Sequence, residues 1–223
     1  MKISIIGAGK VGSSIAFSIL HEIKPNELII NDLVLPLVKA EELDLGHASL
    51  SISPQTKIIG TTNIRDVKGS DFIIITAGKS RTYKETRKEL LKINKEIIES
   101  ICSKLSQIAP NTIVFVVTNP STQMAEVAKQ YCKNVIAMDN QLDTTRLKYN
   151  IKLETDLEEI KSIVTGDHGE NMNFEIRDDL TDEQKEKVIH ETKFSGLKII
   201  EGKGHTNWGI SAQVSKIIKE IIN

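Results

Sequence analysis

Three glycines near the start of the chain, Gly7, Gly9 and Gly12, are spaced as Gly-x-Gly-x-x-Gly. They follow an apolar run over residues 3–6 that predicts a strand, and they precede an apolar helical pattern. In this setting Gly7 permits a tight turn, Gly9 lets a pyrophosphate approach the backbone, and Gly12 lets the helix pack closely on the sheet. The free N–H groups at the start of the helix are expected to face the phosphates.

A carboxylate, Asp32, closes the second predicted strand twenty residues after Gly12. At this distance from the glycines it is expected to accept hydrogen bonds from the hydroxyls of an adenosine ribose, and its charge would repel a 2′-phosphate. The pattern therefore predicts a binding site for NAD rather than NADP. An ordinary turn residue at the end of a strand is the alternative interpretation of Asp32.

Arginine is scarce in this sequence, which contains 24 lysines and 5 arginines. Because lysine suffices where only positive charge is needed, the few arginines are candidates for gripping a carboxylate with two hydrogen bonds. Arg146 lies three residues after Asp143, which places both on the same face of a predicted helix. Polar residues follow the predicted strands in four segments, at residues 77–81 with 86–87, 117–120, 142–146 and 166–169.

Strand-like and helix-like patterns alternate through the first two thirds of the chain. The predicted strands are residues 3–6, 28–30, 56–59, 72–76, 113–118 and 135–138, and the predicted helices between them are residues 11–22, 38–50, 86–108 and 123–131. Continuous apolar strands separated by helices are typical of a parallel sheet covered on both faces. The expected fold class is therefore α/β, with a doubly wound parallel (Rossmann) sheet that places its ligands at the strand ends.

The pattern changes after about residue 141. A helix over residues 142–151 precedes a strand near residues 160–164, and Thr181 and Gln184 form a capping box that opens another helix. A last helix is predicted over residues 208–222. We therefore predict two domains, an NAD-binding Rossmann domain over residues 1–141 and an α+β domain over residues 142–223.

Composition excludes several classes of partner. The formal net charge of −1 offers no overall attraction to nucleic acid or to an anionic membrane. No apolar run approaches the roughly 18 residues of a membrane span, and no basic segment before an apolar stretch suggests a secretory signal. Cys102 and Cys132 have neither metal-ligand nor disulfide spacing, so we expect reduced thiols in a cytoplasmic protein and no metal site.

In this order, and behind the glycine pattern, the four polar segments resemble those of the lactate/malate dehydrogenase family. The resemblance covers nearly the whole chain, down to residues 203–209. It implies an oxidoreductase that transfers a hydride between NAD and a small 2-hydroxy acid, with malate and oxaloacetate as the expected dicarboxylate pair and a place in the tricarboxylic acid cycle. A non-catalytic NAD-binding or interaction protein derived from this family is the alternative.

The resemblance gives catalytic roles to His168, Asp143 and Arg87. His168 matches the acid/base that moves the hydroxyl proton, a role that suits imidazole because its ordinary pKa is about 6.5. Asp143 matches the carboxylate that orients the imidazole and stabilises its charged form. Arg87 matches the loop arginine that polarises the substrate carbonyl.

Four further residues match the family's substrate-binding positions. Arg146 corresponds to the arginine that holds the substrate carboxylate, Asn119 to a positioning amide, and Thr206 to a pocket hydroxyl. Arg81 corresponds to the position that meets the far end of the substrate. A cation there fits the second carboxylate of malate, whereas against the methyl group of lactate it would be a buried, unpaired charge.

The sequence departs from the family in two respects. Residues 80–85 lack the Pro and Gly that are usual in the family's mobile loop. The segment between Phe174 and Thr181 is shorter than usual, and the antiparallel sheet and final helix of family members do not follow Asn223. The resemblance therefore implies a member shortened at its C-terminus, in which residues 142–223 form a reduced α+β substrate domain.

The resemblance also implies a homodimer. Family members commonly pair through helices that correspond to residues 38–50 and 208–222. The second of these segments carries an apolar stripe at helical spacing, which we expect to be incompletely covered within one chain.

Overall fold

Two compact units make up the chain, one formed by Met1–Met138 together with Ile210–Asn223 and the other by Asp139–Gly209. The structure is a computed structural model that describes residues 1–79, 87–138, 140–166, 168 and 171–223, the side chains of residues 87 and 88 excepted. The predicted boundary between the domains lies between residues 141 and 142. It is three residues from the boundary between the units, which lies between residues 138 and 139. The last helix is assigned differently, because the structure groups its residues from Ile210 onward with the first unit.

Six parallel strands form the sheet of the first unit. They are Lys2–Ile6 (β1), Glu27–Asn31 (β2), Lys57–Thr61 (β3), Phe72–Ile75 (β4), Ile113–Val116 (β5) and Asn134–Ala137 (β6). Their order is β3-β2-β1-β4-β5-β6, and every pairing is parallel. The direction of winding reverses between β1 and β4, which is where such sheets bind ligands. The doubly wound Rossmann sheet predicted from the sequence is confirmed.

Helices connect these strands. They are Lys10–Glu22 (α1), Leu35–Ile52 (α2), Arg87–Ile108 (α3) and Ser121–Lys129 (α4), with a short 3-10 helix at Ile64–Val67 between β3 and β4. Consecutive residues of β4, such as Ile73 and Ile74, point to opposite faces of the sheet and are both fully buried. Both faces are therefore covered, which explains why the strands are continuous apolar runs rather than alternating ones.

The second unit combines two helices with a small antiparallel sheet. Its elements are Asn140–Glu154 (α5), Ile163–Thr165 (β7), Asn173–Glu175 (β8) and Asp182–Lys203 (α6). Apolar side chains from these elements and from the segment between β8 and α6 form a core, made of Leu147, Ile151, Val164, Leu180 and Val188. The predicted capping box is confirmed at the start of α6, where the side chains and backbones of Thr181 and Gln184 bond reciprocally.

The last helix, Trp208–Ile222 (α7), buries most of its apolar stripe within the first unit. Ile210, Val214 and Ile218 are buried. The Ser215 hydroxyl donates a hydrogen bond to the hydroxyl of Ser18 on α1 at 2.8 Å. The stripe is therefore mainly a core feature, and the expectation that it is incompletely covered holds only for the end of the helix, where Ile221 is exposed.

Three further features concern the cysteines, the apolar character of the helices and the arrangement of metal-binding side chains. Cys102 and Cys132 are free thiols, and both are buried. No helix in the described part of the chain is long and apolar enough to cross a membrane. Within those same residues, no group of three or more His, Cys, Asp or Glu side chains is arranged to hold a metal ion.

Candidate functional site

The glycine turn after β1 is built by close backbone contacts. Gly7 has φ of +110°, a conformation that L side chains rarely adopt, and its N–H donates to the carbonyl of Asn31 at 2.7 Å. A Cβ at Gly7 would lie 2.5 Å from the backbone nitrogen of Ala77, and a Cβ at Gly12 would lie 1.9 Å from the carbonyl oxygen of Gly7. Any side chain at either position would force β1, β4 and α1 apart.

Gly9, the middle glycine of the three, lies in a more open environment. A Cβ built on Gly9 meets no atom within 4 Å, so packing within the protein does not require glycine at this position. Gly9 is the N-cap of α1, it makes no side-chain capping bond, and the first turn of α1 contains no acidic residue. The first turn of α1 therefore brings no carboxylate of its own to the positive end of the helix dipole, which suits a phosphate group that approaches the backbone closely.

Asp32 lies beside this turn at the end of β2. Its Oδ2 accepts a hydrogen bond from the N–H of Ala8 at 2.8 Å, and its Oδ1 accepts one from the N–H of Val34 at 3.2 Å. These bonds fix the carboxylate next to the glycine turn and leave further lone pairs on each oxygen. Hydroxyl groups of a ribose are suitable donors to them. The glycine turn, the helix terminus and Asp32 therefore fit NAD.

The carboxyl end of β5 leads into Asn119, the predicted positioning amide. The peptide bond between Asn119 and Pro120 is cis, and helix α4 begins at the next residue. The Asn119 side chain is exposed, while its backbone carbonyl accepts a hydrogen bond at 2.7 Å from the side chain of Asn94. Asn94 is a residue that the sequence patterns did not single out.

A second group of polar side chains lies in the unit formed by Asp139–Gly209. The side chain of Asp143, on the first turn of α5, is only 1% exposed. Its Oδ2 lies 2.6 Å from Nδ1 of His168, and its Oδ1 accepts a hydrogen bond at 3.0 Å from the guanidinium of Arg146, one turn further along α5. One buried carboxylate is thus shared by an imidazole and a guanidinium.

In this arrangement His168 and Arg146, the two partners of Asp143, each keep nitrogen atoms that can contact a substrate. The His168 side chain is 44% exposed and is held through Nδ1, so its Nε2 is the nitrogen left for a reacting group. Arg146 uses one N–H on Asp143, and the guanidinium has five. The remaining donors suit a bidentate bond to a carboxylate. The group can therefore exchange a proton and bind an anion.

Gly196 is a further residue of this group that the sequence patterns missed. It lies on α6, and a Cβ built on it would be 3.4–3.7 Å from the guanidinium atoms of Arg146. A side chain at this point of α6 would therefore contact the guanidinium of Arg146. A glycine within a helical pattern carries no periodic signal, so only the structure could reveal this contact.

The structure gives less information on the other predicted site residues, Arg81, Arg87 and Thr206. Arg81 and the side chain of Arg87 lie outside the described residues, although Arg87 is the first residue of α3. Thr206 is half-buried in the turn between α6 and α7. The structure therefore brings Asp143, Arg146 and His168 together, and places Gly7, Gly9, Gly12 and Asp32 around one turn.

Sequence comparison relates this chain to known dehydrogenases. The family model described as lactate/malate dehydrogenase, NAD binding domain, matches residues 1–137. The malate dehydrogenase of Caldivirga maquilingensis is 32% identical, over 98% of this chain and 76% of its own length. The L-lactate dehydrogenase of Kosmotoga olearia is also 32% identical, over 99% of this chain and 76% of its own length.

A solved structure extends the likeness to three dimensions. Malate dehydrogenase of Archaeoglobus fulgidus, determined in complex with NADH, superposes with a TM-score of 0.90 at 30% identity, covering 100% of this chain and 78% of that one. The parallel sheet, the glycine turn at its reversal point and the matched domain define an NAD-binding protein of the doubly wound α/β class. The chain belongs to the lactate/malate dehydrogenase family.

Proposed function

We propose that this protein is an NAD-dependent dehydrogenase of small 2-hydroxy acids, and that malate and oxaloacetate are its substrate pair. The observation that carries this proposal is the buried carboxylate of Asp143, shared by His168 and Arg146. It joins an acid/base to a group that binds carboxylates. The relatives named malate dehydrogenase and L-lactate dehydrogenase support the same reaction class.

Oxidation of a 2-hydroxy acid removes a proton from the hydroxyl group and a hydride from the carbon that bears it. NAD, when bound, supplies the hydride chemistry of the nicotinamide ring. In the proposed reaction Nε2 of His168 takes the hydroxyl proton, and it returns this proton in the reverse direction. Asp143 orients the ring through Nδ1 and stabilises the imidazolium while the proton is held.

Arg146 binds the carboxylate next to the reacting carbon in this proposal. Its bond to Asp143 fixes the plane of the guanidinium, so its other N–H groups are oriented before the substrate arrives. Asn119 would position the substrate with its side-chain amide, and Thr206 would contribute a hydroxyl to the pocket. Arg87 would polarise the carbonyl of the 2-oxo acid.

Arg81 is proposed to select dicarboxylates. Enclosed over a second carboxylate, a guanidinium forms a bidentate pair, whereas over a methyl group it is buried without a partner. Discrimination that rests on such an unpaired group can reach factors of about 10⁴. We therefore expect oxaloacetate to be strongly preferred to pyruvate.

Steady-state kinetics with NADH test this proposal. The intact protein is expected to reduce oxaloacetate with a kcat/KM at least about 100-fold above that for pyruvate, and Arg81→Gln should remove most of the difference. Arg65→Gln is the matched control, because Arg65 is an exposed arginine in the 3-10 helix. Equal efficiency of the intact protein with both acids would refute the assignment to malate. Binding of NADH without turnover of either acid would favour a non-catalytic NAD-binding protein.

We also propose a homodimer that pairs through α2. Leu43 and Leu50, seven residues apart on this helix, are 62% and 72% exposed, and such a pair on one helix face suits an isologous contact. Sedimentation at micromolar concentration should show a dimer for the intact protein and a monomer for Leu43→Lys combined with Leu50→Lys. Leu153→Lys, at a similarly exposed leucine on α5, should remain dimeric. A monomeric intact protein would contradict the proposal.

A cytoplasmic location and a role in the tricarboxylic acid cycle complete the proposal. Two buried free thiols, Cys102 and Cys132, suit a reducing compartment. The malate and oxaloacetate pair would give the enzyme its place in the cycle.

A further inference from the structure

A fully buried amide, Asn94, joins the segments that follow two neighbouring strands. It lies on α3 and is 1% exposed. Its Oδ1 accepts a hydrogen bond from the N–H of Lys79 at 2.7 Å, and its Nδ2 donates to the carbonyl of Lys79 at 3.2 Å and to that of Asn119 at 2.7 Å. Lys79 follows β4 and Asn119 follows β5, so one side chain links both strand ends.

These strand ends are already packed tightly. The hydroxyl of Thr118 donates to the carbonyl of Ala77 at 2.8 Å, and a Cβ at Gly78 would lie 2.4 Å from the Cγ2 of Thr118. The last backbone bond of this ladder is donated by the N–H of Val117 to the carbonyl of Ile75. Beyond the backbone ladder of β4 and β5, side-chain hydrogen bonds therefore connect the segments that follow these two strands.

The amide of Asn94 can take only one orientation. The N–H of Lys79 requires an acceptor, which must be Oδ1, and this leaves Nδ2 facing the carbonyl of Asn119. An aspartate at this position would place a carboxylate oxygen against that carbonyl, and the bond would become a repulsion. Asparagine is therefore required by the chemistry of the two partners and not merely by the available volume.

We propose that Asn94 is a positioning residue for the dehydrogenase reaction, acting through Asn119. By holding the backbone carbonyl of Asn119 it fixes where the exposed side-chain amide of that residue projects, and its pair of bonds to Lys79 keeps its own amide in the required orientation. This inference rests on the proposed function, in which the Asn119 amide contacts the substrate. A buried asparagine that only joins α3 to the sheet is the competing explanation.

A double-mutant cycle separates these two explanations. Asn94→Asp, with Asn94→Ser as an uncharged second variant, is combined with Asn119→Ala, and kcat/KM for oxaloacetate is measured in each protein. Alone, the Asn94 variants are expected to lower kcat/KM at least about tenfold. In the Asn119→Ala background they should lower it less than about threefold, because the group that they misplace is already gone. Equal losses in the two backgrounds would overturn the proposal.

A matched control separates the expected effect from a loss of stability, and a second readout tests the inference without measuring activity. Thr112→Val removes a 2.8 Å bond to the carbonyl of Ser70 at the opposite ends of the same two strands, so it should lower the melting temperature but not kcat/KM. In the ¹⁵N-labelled protein, the side-chain amide signal of Asn119, assigned by its loss in Asn119→Ala, should shift in the Asn94 variants and not in Thr112→Val. An unmoved signal overturns the inference. A shifted signal in a protein without turnover would refute the proposed function and leave the positioning by Asn94 supported.

Discussion

At the scale of single residues, the proposed chemistry depends on one buried carboxylate, that of Asp143, and on the two side chains that bond to it. Asp143 is almost completely buried and has a cationic or ionisable partner on each oxygen. A buried carboxylate without such partners would be strongly destabilising, so the bonds to Arg146 and His168 explain how it persists. The spacing of Asp143 and Arg146 on one helix face could be seen in the sequence. Their meeting with His168, 25 residues away, required the fold.

Gly196 allows a direct test of the space around Arg146. Alanine should be accepted with little loss, because its Cβ would lie at 3.4–3.7 Å, an ordinary contact distance. Gly196→Val adds two methyl groups at this contact, so it should displace the guanidinium and lower kcat/KM for oxaloacetate by about tenfold or more, mainly through KM. The measurement is steady-state kinetics at saturating NADH.

Gly202 provides the matched control on the same helix. A Cβ built on Gly202 meets no atom within 4 Å, so Gly202→Val should change kcat/KM less than about twofold while altering the same kind of helical backbone. Equal losses for the two valine variants would show that the helix, and not the contact with Arg146, determines the effect.

At the scale of elements, the first unit was more predictable than the second. Its strands were found within one or two residues because each is a continuous apolar run bounded by turn residues. The strand β8 was not predicted, because three residues are too few to show alternation. The full length of α6 was also not predicted, since Gly196 and Gly202 interrupt its pattern.

A partly buried hydrogen-bond group around Asp178 connects the segment before β7 to the segment after β8. Asp178 accepts bonds from the N–H of Lys161 at 2.8 Å, the N–H of Ser162 at 2.9 Å and the hydroxyl of Ser162 at 2.5 Å. Burial by itself would raise the pKa of Asp178, but these bonds favour the carboxylate more strongly and the pKa is lowered. The ionised side chain thereby fixes the entrance to β7.

Replacement of Asp178 should therefore destabilise the protein in a pH-dependent way. A lowered pKa in the folded state means that the stabilisation is complete above the unfolded pKa, about 3.9, and is lost as the pH falls through the folded value. Asp178→Asn should lower the melting temperature by about 2–4 °C at pH 7, and the difference should shrink below about pH 4. Asp179→Asn, at the adjacent exposed carboxylate, is the control and should change little. A difference that persists unchanged at pH 3 would contradict this account.

At the scale of the whole molecule, the chain combines an NAD-binding Rossmann unit with a unit that carries the proposed acid/base, His168, and the proposed carboxylate-binding residue, Arg146. The doubly wound parallel sheet could be predicted because parallel strands with right-handed connections allow few alternatives. The inclusion of α7 in the first unit could not, because an apolar stripe on a helix does not specify which surface buries it. The chain spans about three quarters of the length of the relatives it matches.

Transfer of the hydride itself is the most direct test of the central claim. The intact protein is incubated with oxaloacetate and NADH deuterated at C4 of the nicotinamide, on the face that is transferred, and the product is analysed by mass spectrometry. The account predicts malate that carries one deuterium at C2. His168→Asn should bind NADH as tightly as the intact protein but form at least about 100-fold less product, because only proton transfer is removed. Unlabelled malate, or tight NADH binding by the intact protein without any hydroxy acid formed, would contradict the account.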